Sequence, residues 1–142
     1  MSYATHLQCT ACGAHHPADQ PMNLCPVDQR PVEIVLDMDR LAAERPQNAW
    51  YHPGRKDMWR FGGLLALDID DPADAQHILS LGEGATPELD YNDHALAKKA
   101  GFTLTVKDEG KAHKGFGANP TQSFKDRGMA MSISMARRFG LK

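Results

Sequence analysis

The chain has 142 residues, with 16 basic and 18 acidic side chains and a formal net charge of −2. This length is enough for one modest domain, and the near balance of charge gives no electrostatic case for partners such as nucleic acid or an anionic membrane. No apolar run is long enough to span a bilayer, the N-terminus lacks the apolar segment of a signal peptide, and an odd number of cysteines argues against a disulfide framework, so we expect a cytoplasmic protein.

Two cysteine-containing turns stand near the N-terminus. In the first turn, Cys9 and Cys12 are separated by two residues and followed by Gly13, which can adopt the positive φ of a tight turn. This spacing lets both sulfurs face one metal ion. The second turn begins at Cys25, but Asp28 occupies the position where a zinc ribbon would have its fourth cysteine.

The sequence leaves the ligands of this segment open. Three thiolates and one carboxylate could bind zinc, or a histidine could replace the carboxylate; the candidates are His6, His15 and His16. Because structural zinc sites prefer cysteine and histidine, the aspartate weakens the case for a metal. We therefore expect residues 1–32 to form a ribbon-like segment held by packing, with zinc on the three cysteines as the alternative.

A strand and a helix are predicted next. Residues 31–37 cluster β-branched side chains and predict a short strand. Asp37 can cap a helix over residues 39–45, and Pro46 would end this helix. The polar residues 47–57 contain a proline and a glycine and predict a connector.

An apolar patch follows the connector. We expect Trp59 and Phe61 to be packing anchors of this patch, because nothing in the sequence requires either ring to stack on a ligand. Residues 73–79 predict one or two turns of helix.

The segment 80–87 is a glycine-containing loop. Gly82 and Gly84 flank Glu83, and they would allow a close backbone approach to a ligand. Thr86 offers a hydroxyl group and is a candidate ligand contact. The loop lacks the lysine-containing pattern of a phosphate-binding P-loop, and on its own it is an ordinary loop.

A helix and a strand are predicted after this loop. Residues 92–99 predict a helix that Asn92 caps and Gly101 ends. Residues 102–107 alternate apolar and polar side chains, which predicts a strand with one buried face. The glycines and lysines of residues 110–118 predict an exposed loop.

The segment 119–128 surrounds a lysine at the start of a helix. Pro120 disfavours helix at the residue before it, so the helix can begin at Ser123, with Asp126 three residues on as in a capping box. Lys125 lies in the first turn. A lysine acts as a nucleophile only as the free amine, and an amine placed here suits a Schiff base with an aldehyde cofactor. The alternative is a solvated surface lysine.

The rest of this helix is predicted to pack on a sheet. Met129, Ile133 and Ala136 recur at intervals of four and three residues and predict an apolar face. Gly140 is the expected C-terminal cap.

Three of these segments together resemble one enzyme family. The string Asn-Pro-Thr-Gln-Ser-Phe-Lys-Asp-Arg-Gly at 119–128 is similar to the pyridoxal-phosphate lysine motif of threonine synthases, and it departs only at Gln122, where the family has glycine. The run Leu-Gly-Glu-Gly-Ala-Thr-Pro at 81–87 resembles a second family signature, with Glu88 as an extra residue before the expected leucine. The cysteine turns resemble the ribbon-like segment with which threonine synthases and their relatives often begin, minus its last ligand.

The resemblance implies a fold and a reaction. Residues 33–142 would be the N-terminal part of a fold-type II, pyridoxal-phosphate-dependent α/β domain. The amino-acid substrate O-phosphohomoserine would react with water to give threonine and phosphate. Lys125 would bind the cofactor and then transfer protons, and Phe124 would pack near the cofactor. The implied substrate contacts are Thr86, Ser123 and Asn119, of which the last two could instead cap the helix.

The resemblance extends over only the first third or so of a typical family member. We therefore expect an N-terminal fragment with little or no turnover alone, and an incomplete α/β domain that exposes apolar faces would tend to self-associate. Two alternatives remain: another fold-type II enzyme, such as a cysteate synthase or a threonine dehydratase, or a non-catalytic module whose ribbon binds a metal or a partner.

Overall fold

A computed structural model describes residues 2–44 and 50–141 of the chain. The described residues form a small mixture of helices and strands, as predicted, and they divide into two compact units. The first unit consists of residues 2–44, 50–55, 59–78 and 133–141, and the second of residues 56–58 and 79–132. The domain boundary predicted after residue 32 stays a prediction. No helix in the described ranges is long and apolar enough to cross a membrane.

The first unit contains a three-stranded antiparallel sheet with β1 in the centre. Its strands are β1 (Ala4–Cys9), β2 (His15–His16) and β3 (Val32–Leu36). The predicted strand at 31–37 is therefore confirmed. The register pairs Cys9 with Val32 and Gln8 with His15, so the first cysteine turn connects two paired strands.

Helix α1 (Met38–Glu44) follows β3 directly. The predicted cap is confirmed, because the Arg40 backbone N–H donates a hydrogen bond of 2.9 Å to Asp37 Oδ1. The predicted end of the helix at Pro46 lies outside the described residues. The buried Tyr3 ring ties this helix to the start of the sheet: its hydroxyl donates to Glu44 Oε2 at 2.6 Å, and the Arg40 guanidinium lies 4.3 Å above the ring centre.

Several aromatic side chains lie together in another part of the first unit. Trp59 is fully buried, which confirms it as a packing anchor. Phe61 is half-buried and lies nearly parallel to Trp50, with 6.2 Å between the ring centres. Gly63 passes close to this group, since its backbone N–H donates to the Trp50 carbonyl oxygen and its own carbonyl oxygen accepts from the Tyr3 N–H at 2.8 Å. A 3-10 helix spans Met58–Leu64.

The short helix α2 (Pro72–Ala75) occupies part of the predicted 73–79 segment. Asp71 caps it by accepting a hydrogen bond of 2.9 Å from the Ala73 N–H. Asp74 in this helix forms an ion pair of 2.6 Å with Arg138 Nε. Helix α2 is therefore held at both of its ends by carboxylates.

The second unit contains a two-stranded antiparallel sheet of β4 (Glu88–Asp90) and β5 (Thr105–Lys107). The prediction of a strand over 102–107 with one buried face is wrong in length and in burial. Strand β5 has only three residues, and all three are exposed. Its pairing ends where β4 ends, and the Leu104 N–H donates instead to Asn92 Oδ1 at 2.7 Å.

Helix α3 (Ala95–Ala100) lies between these two strands in the chain. Asn92 was the predicted cap, and that prediction is wrong: the Leu96 N–H donates to His94 Nδ1 at 3.2 Å. The Asn92 side chain is engaged by Leu104, which a local sequence pattern does not indicate. The end of the helix at Gly101 is confirmed, with a left-handed φ of 69°.

Helix α4 (Lys125–Arg138) is the longest described helix. The predicted apolar face is wrong at two of its three positions, because Met129 is 55% and Ile133 is 41% exposed, whereas Ala136 is half-buried. The buried positions are Ala130 and Ser134, one turn apart, whose small side chains suit a close approach of other chain segments. The predicted end at Gly140 is confirmed, with a φ of 67°.

Candidate functional site

The glycine-containing loop at 81–87 is packed tightly against its own unit. Gly82 and Gly84 both have positive φ, of 88° and 96°. The Met58 N–H donates to the Glu83 carbonyl oxygen at 2.7 Å, and a Cβ atom on Gly84 would lie 3.0 Å from the backbone nitrogen of Met58. The close backbone approach predicted at these glycines is thus made by another segment of the chain.

Asn119 connects this loop to the lysine segment. Its side chain is 2% exposed, and both ends of the amide are used. The oxygen accepts from the Gly84 N–H at 2.9 Å, and the nitrogen donates to the Ser123 carbonyl oxygen at 2.8 Å and to the Glu109 carboxylate. The structure therefore brings together two of the three segments that carried the sequence resemblance.

The lysine lies on the first residue of α4 and is exposed. The Lys125 N–H donates to Ser123 Oγ at 3.3 Å, so the predicted serine cap is present. The capping-box role predicted for Asp126 is wrong. Its carboxylate accepts from the Thr121 N–H at 2.7 Å and from the Thr121 hydroxyl, because Gln122 turns the chain with a φ of 62°.

Phe124, which precedes the lysine, is 63% exposed. The expected packing of this ring near a cofactor stays a prediction. A flat ligand could cover this exposed ring, since burying an aromatic ring is favourable.

Two buried polar atoms in the glycine-containing loop have no hydrogen-bond partner among the described residues. Thr86 is 3% exposed and its Oγ1 is unpaired. Glu83 is 1% exposed; its Oε2 accepts from the Leu81 N–H at 2.7 Å, whereas its Oε1 is unpaired. Unpaired buried polar atoms are uncommon in native structures and call for an explanation. Thr86 was a sequence candidate; Glu83 was not, although two flanking glycines marked it.

Sequence reasoning also missed an ion pair beside Asn119. Glu109 receives two hydrogen bonds from the Arg127 guanidinium, of 2.7 and 3.1 Å, and its side chain is 19% exposed. Eighteen residues separate the two side chains, so no local pattern indicated the contact. The hydrogen bonds from Arg127 hold the pKa of Glu109 below its usual range, against the opposing effect of burial.

This ion pair predicts a specific loss of stability in acid. Because the pKa of Glu109 is lower in the folded than in the unfolded chain, its stabilisation is present above the unfolded value of about 4.3 and is lost as the pH falls through the folded value. We expect Glu109→Gln to lower the free energy of unfolding at pH 7, with a difference from the wild type that closes in acid. Urea titrations across this pH range measure it. A difference that stays constant with pH would contradict the ion pair.

The two cysteine turns place four metal-ligand side chains together. Ligand atoms of Cys9, Cys12, Cys25 and Asp28 all lie within 4.8 Å of one another. Cys9 Sγ is 3.3 and 3.4 Å from the two Asp28 oxygens, and the sulfurs of Cys12 and Cys25 are 3.8 Å apart. The sequence named these three cysteines and left the fourth ligand open; the structure brings Asp28 to that place.

The surroundings of Cys9 and Cys12 shift the pKa values of their two thiols in opposite directions. The Cys12 N–H bonds to the sulfur of Cys9 and lowers the pKa of that thiol, although burial opposes this effect. The Ala14 N–H lowers the pKa of Cys12, but burial and the neighbouring Cys9, Cys25 and Asp28 side chains together raise it to about 11. The crowding of groups that carry negative charge when deprotonated is what a bound cation relieves.

The histidines are not part of this cluster. The His6 and His15 rings lie against each other, with 4.2 Å between their centres. His6 Nδ1 lies 2.8 Å from the Thr5 hydroxyl. In the described ranges no histidine joins a group of three or more possible metal ligands, so the alternative of a histidine replacing Asp28 is not supported.

Comparison with curated proteins finds relatives that are named threonine synthases. The chain is 31% identical over 136 residues to the threonine synthase of Methanocaldococcus jannaschii, a match that covers 95% of the chain and 30% of that protein. It is 29% identical over 144 residues to the threonine synthase of Methanosarcina acetivorans, covering 96% of the chain and 29% of that protein.

A third relative is more similar over a shorter stretch. The threonine synthase of Halalkalibacterium halodurans is 44% identical over 63 residues, which is 44% of the chain and 15% of that protein. No protein-family profile matches the chain, and no solved structure matches it. The chain thus spans about three tenths of the length of the first two relatives.

Proposed function

Since the chain is related to the threonine synthases along nearly all of its length, we propose that it contributes the lysine of a pyridoxal-phosphate-dependent site. In this proposal the site converts O-phosphohomoserine and water to threonine and phosphate. The observation that supports it most is the buried Asn119 amide, which joins the lysine turn to the glycine-containing loop. Two segments that sequence resemblance alone had linked are thereby connected by direct hydrogen bonds.

The proposed role of Lys125 rests on access and orientation. The residue is exposed, so its amine can be reached by the aldehyde of a cofactor, and it stands on the first residue of a fourteen-residue helix. The N-terminal end of a helix carries partial positive charge and favours anionic ligands, such as the phosphate and carboxylate groups of the proposed cofactor and substrate. Ser123 fixes the start of this helix by accepting the Lys125 N–H.

Three residues of the second unit support the proposed binding of the cofactor. The exposed Phe124 ring is accessible to a ligand, whereas the Thr86 hydroxyl and Glu83 Oε1 are buried acceptors without a partner in the described part of the chain, which a ligand that reached the loop could pair. Pyridoxal phosphate, when bound, supplies a ring that withdraws electrons from the substrate. In this proposal Lys125 binds the cofactor and then moves a proton as base and acid.

The three residues implied as substrate contacts are proposed to have two different roles, binding the substrate and positioning the lysine. Thr86 is the proposed contact, because its hydroxyl is buried and unpaired. Asn119 and Ser123 are proposed as positioning residues: the Asn119 amide already has partners at both ends, and the Ser123 oxygen accepts from the helix backbone. Substitution of either residue would affect a reaction by changing the position of Lys125.

The experiment that tests this function is covalent labelling. Pyridoxal phosphate is added below the protein concentration, the bond to lysine is reduced with borohydride, and the labelled peptide is mapped by mass spectrometry. We expect the label on Lys125, loss of that label in Lys125→Ala, and no change in Lys99→Ala, which removes an exposed lysine from helix α3. A label spread over many lysines that spares Lys125 would contradict the proposal.

The alternatives predict different products. Another fold-type II enzyme, of the cysteate synthase or threonine dehydratase type, would label at Lys125 as well, but threonine would not form from O-phosphohomoserine. A non-catalytic ribbon module would bind metal without a specific label. The labelling experiment therefore separates the module from the enzymes, and analysis of the product separates the enzymes from one another.

A further inference from the structure

We propose that Cys9, Cys12, Cys25 and Asp28 bind one divalent transition-metal ion, with the Asp28 carboxylate as the fourth ligand and zinc as the ion that fits best. The site lies wholly in the first unit. It is independent of the function proposed for Lys125.

The two cysteine turns are copies of one backbone design. In the first turn the Gly13 N–H donates to the Cys9 carbonyl oxygen at 3.2 Å, and the Cys9 N–H donates to the Ala14 carbonyl oxygen at 2.9 Å. In the second turn the Gln29 N–H donates to the Cys25 carbonyl oxygen at 2.9 Å, and the Cys25 N–H donates to the Arg30 carbonyl oxygen at 2.8 Å. The pattern of donor and acceptor spacing is the same in both.

The positive φ angles repeat as well. Gly13 has a φ of 74° and Gln29, at the equivalent place, has a φ of 58°. A glutamine adopts a left-handed conformation at a cost that glycine avoids, so a defined turn is being kept there. Because the turns correspond residue by residue, Asp28 occupies the place in the second turn that Cys12 occupies in the first.

Two pairs of these ligands stand at the separations of tetrahedral coordination, and all four ligand atoms lie within 4.8 Å of one another. Ligands at about 2.3 Å for sulfur and 2.0–2.2 Å for oxygen stand about 3.8 Å apart between two sulfurs and about 3.5 Å apart between a sulfur and an oxygen. The sulfurs of Cys12 and Cys25 are 3.8 Å apart, and Cys9 Sγ is 3.3 and 3.4 Å from the Asp28 oxygens. Both kinds of distance are those of ligands that share one ion.

The ligand types select the metal. Three thiolates exclude the hard ions magnesium and calcium, whereas zinc accepts both sulfur and carboxylate oxygen in a tetrahedral site. Four protein ligands fill the coordination shell, so the ion would join the two turns and would have no open position for catalysis. The backbone N–H groups of Ala11 and Cys12 point at Cys9 Sγ, at 3.4 and 3.5 Å, and would stabilise its thiolate.

The test is a metal titration of the reduced protein with Co²⁺, followed by displacement with Zn²⁺. We expect one equivalent of Co²⁺ to bind, with the visible and near-ultraviolet absorption of tetrahedral cobalt bound by thiolates, and one equivalent of Zn²⁺ to remove that absorption. Substitutions next to metal ligands weaken binding by about 10–100-fold, so loss of a ligand in Asp28→Ala should weaken it by about 100-fold or more.

Two variants complete the test. Asp28→Cys should keep one equivalent and bind at least as tightly as the wild type, with stronger charge-transfer absorption from a fourth thiolate. Asp19→Ala, which removes an exposed carboxylate that lies between the two turns in the sequence and outside the cluster, should leave binding unchanged. Wild-type protein that binds no stoichiometric Co²⁺, or Asp28→Ala that binds as tightly as the wild type, would overturn the proposal. Should Asp28→Ala fail to fold, a loss of the cobalt spectrum in Asp28→Cys would overturn it.

Discussion

Replacing Asn119 with alanine is expected to lower the free energy of unfolding of the second unit by about 3 kcal/mol or more. The buried amide serves three partners, and each buried polar group left without a partner costs about 1–3 kcal/mol. The Gly84 N–H would lose its partner, the Ser123 carbonyl oxygen would keep only the Asp126 N–H, and Glu109 would keep only Arg127. Urea unfolding followed by circular dichroism measures the change.

Asn92→Ala is the matched control for this substitution. The Asn92 side chain accepts one exposed hydrogen bond of 2.7 Å, so its loss is expected to cost only about 1 kcal/mol. Equal effects of the two substitutions would mean that the buried amide does not hold the unit together. Asn119→Ala should also reduce labelling of Lys125 under conditions where the protein remains folded, because the lysine turn would no longer be tied to the glycine-containing loop.

Replacing Gly63 with alanine is expected to destabilise the first unit by about 3 kcal/mol. A Cβ atom there would lie 2.5 Å from the Cα and 2.9 Å from the Cβ of Trp50, and 3.0 Å from the buried Tyr3 ring. Adding a methyl group to a packed core costs about 1–3 kcal/mol, and here the nearest atom is backbone that cannot rotate away. Thermal unfolding measures the effect.

Gly54→Ala is the control for Gly63→Ala, because nothing lies within 4 Å of the added atom at that position. It should leave stability within about 0.5 kcal/mol of the wild type, or raise it slightly by restricting the unfolded chain. A Gly63→Ala protein as stable as the Gly54→Ala protein would show that the segments around Trp50 and Tyr3 are not packed against Gly63 as described.

Features encoded by a few adjacent residues were predicted well from the sequence. Asp37 caps α1, Gly101 and Gly140 end their helices in left-handed conformations, and Gly13 turns the first cysteine segment. In each case the physical cause is local, since a cap or a positive φ depends on one residue and its immediate neighbours. The same local reasoning predicted the serine cap of the lysine turn, but it did not predict the hydrogen-bond partners of Asp126.

Features that depend on distant residues were not predictable. The choice between Asn92 and His94 as the cap of α3 was decided by Leu104, which takes the asparagine oxygen. The Glu109–Arg127 ion pair joins residues eighteen positions apart. A single sequence does not show which of these groups pair with each other, because each group has several possible partners.

The lower accuracy for burial has a related cause. The spacing of Met129 and Ile133 indicated a buried face on α4, yet the buried side chains are Ala130 and Ser134. A hydrophobic repeat reports which side of a helix could be covered, whereas coverage depends on what chain is available to pack there. The small residues Ala130 and Ser134, one turn apart, also indicate a face that could be buried, but a search for hydrophobic repeats does not detect them.

In the two cysteine turns, backbone hydrogen bonds fix the conformation of each turn, and the four ligand side chains would join the turns to each other. Each loop closes through its own amide–carbonyl pairs, which no substitution at Cys9, Cys12, Cys25 or Asp28 removes. Chelation of the proposed ion, or replacement of one of its ligands, would accordingly leave both turns folded but no longer joined through the ion. Removal of the proposed ion is therefore expected to be reversible, because both turns keep their backbone hydrogen bonds without it.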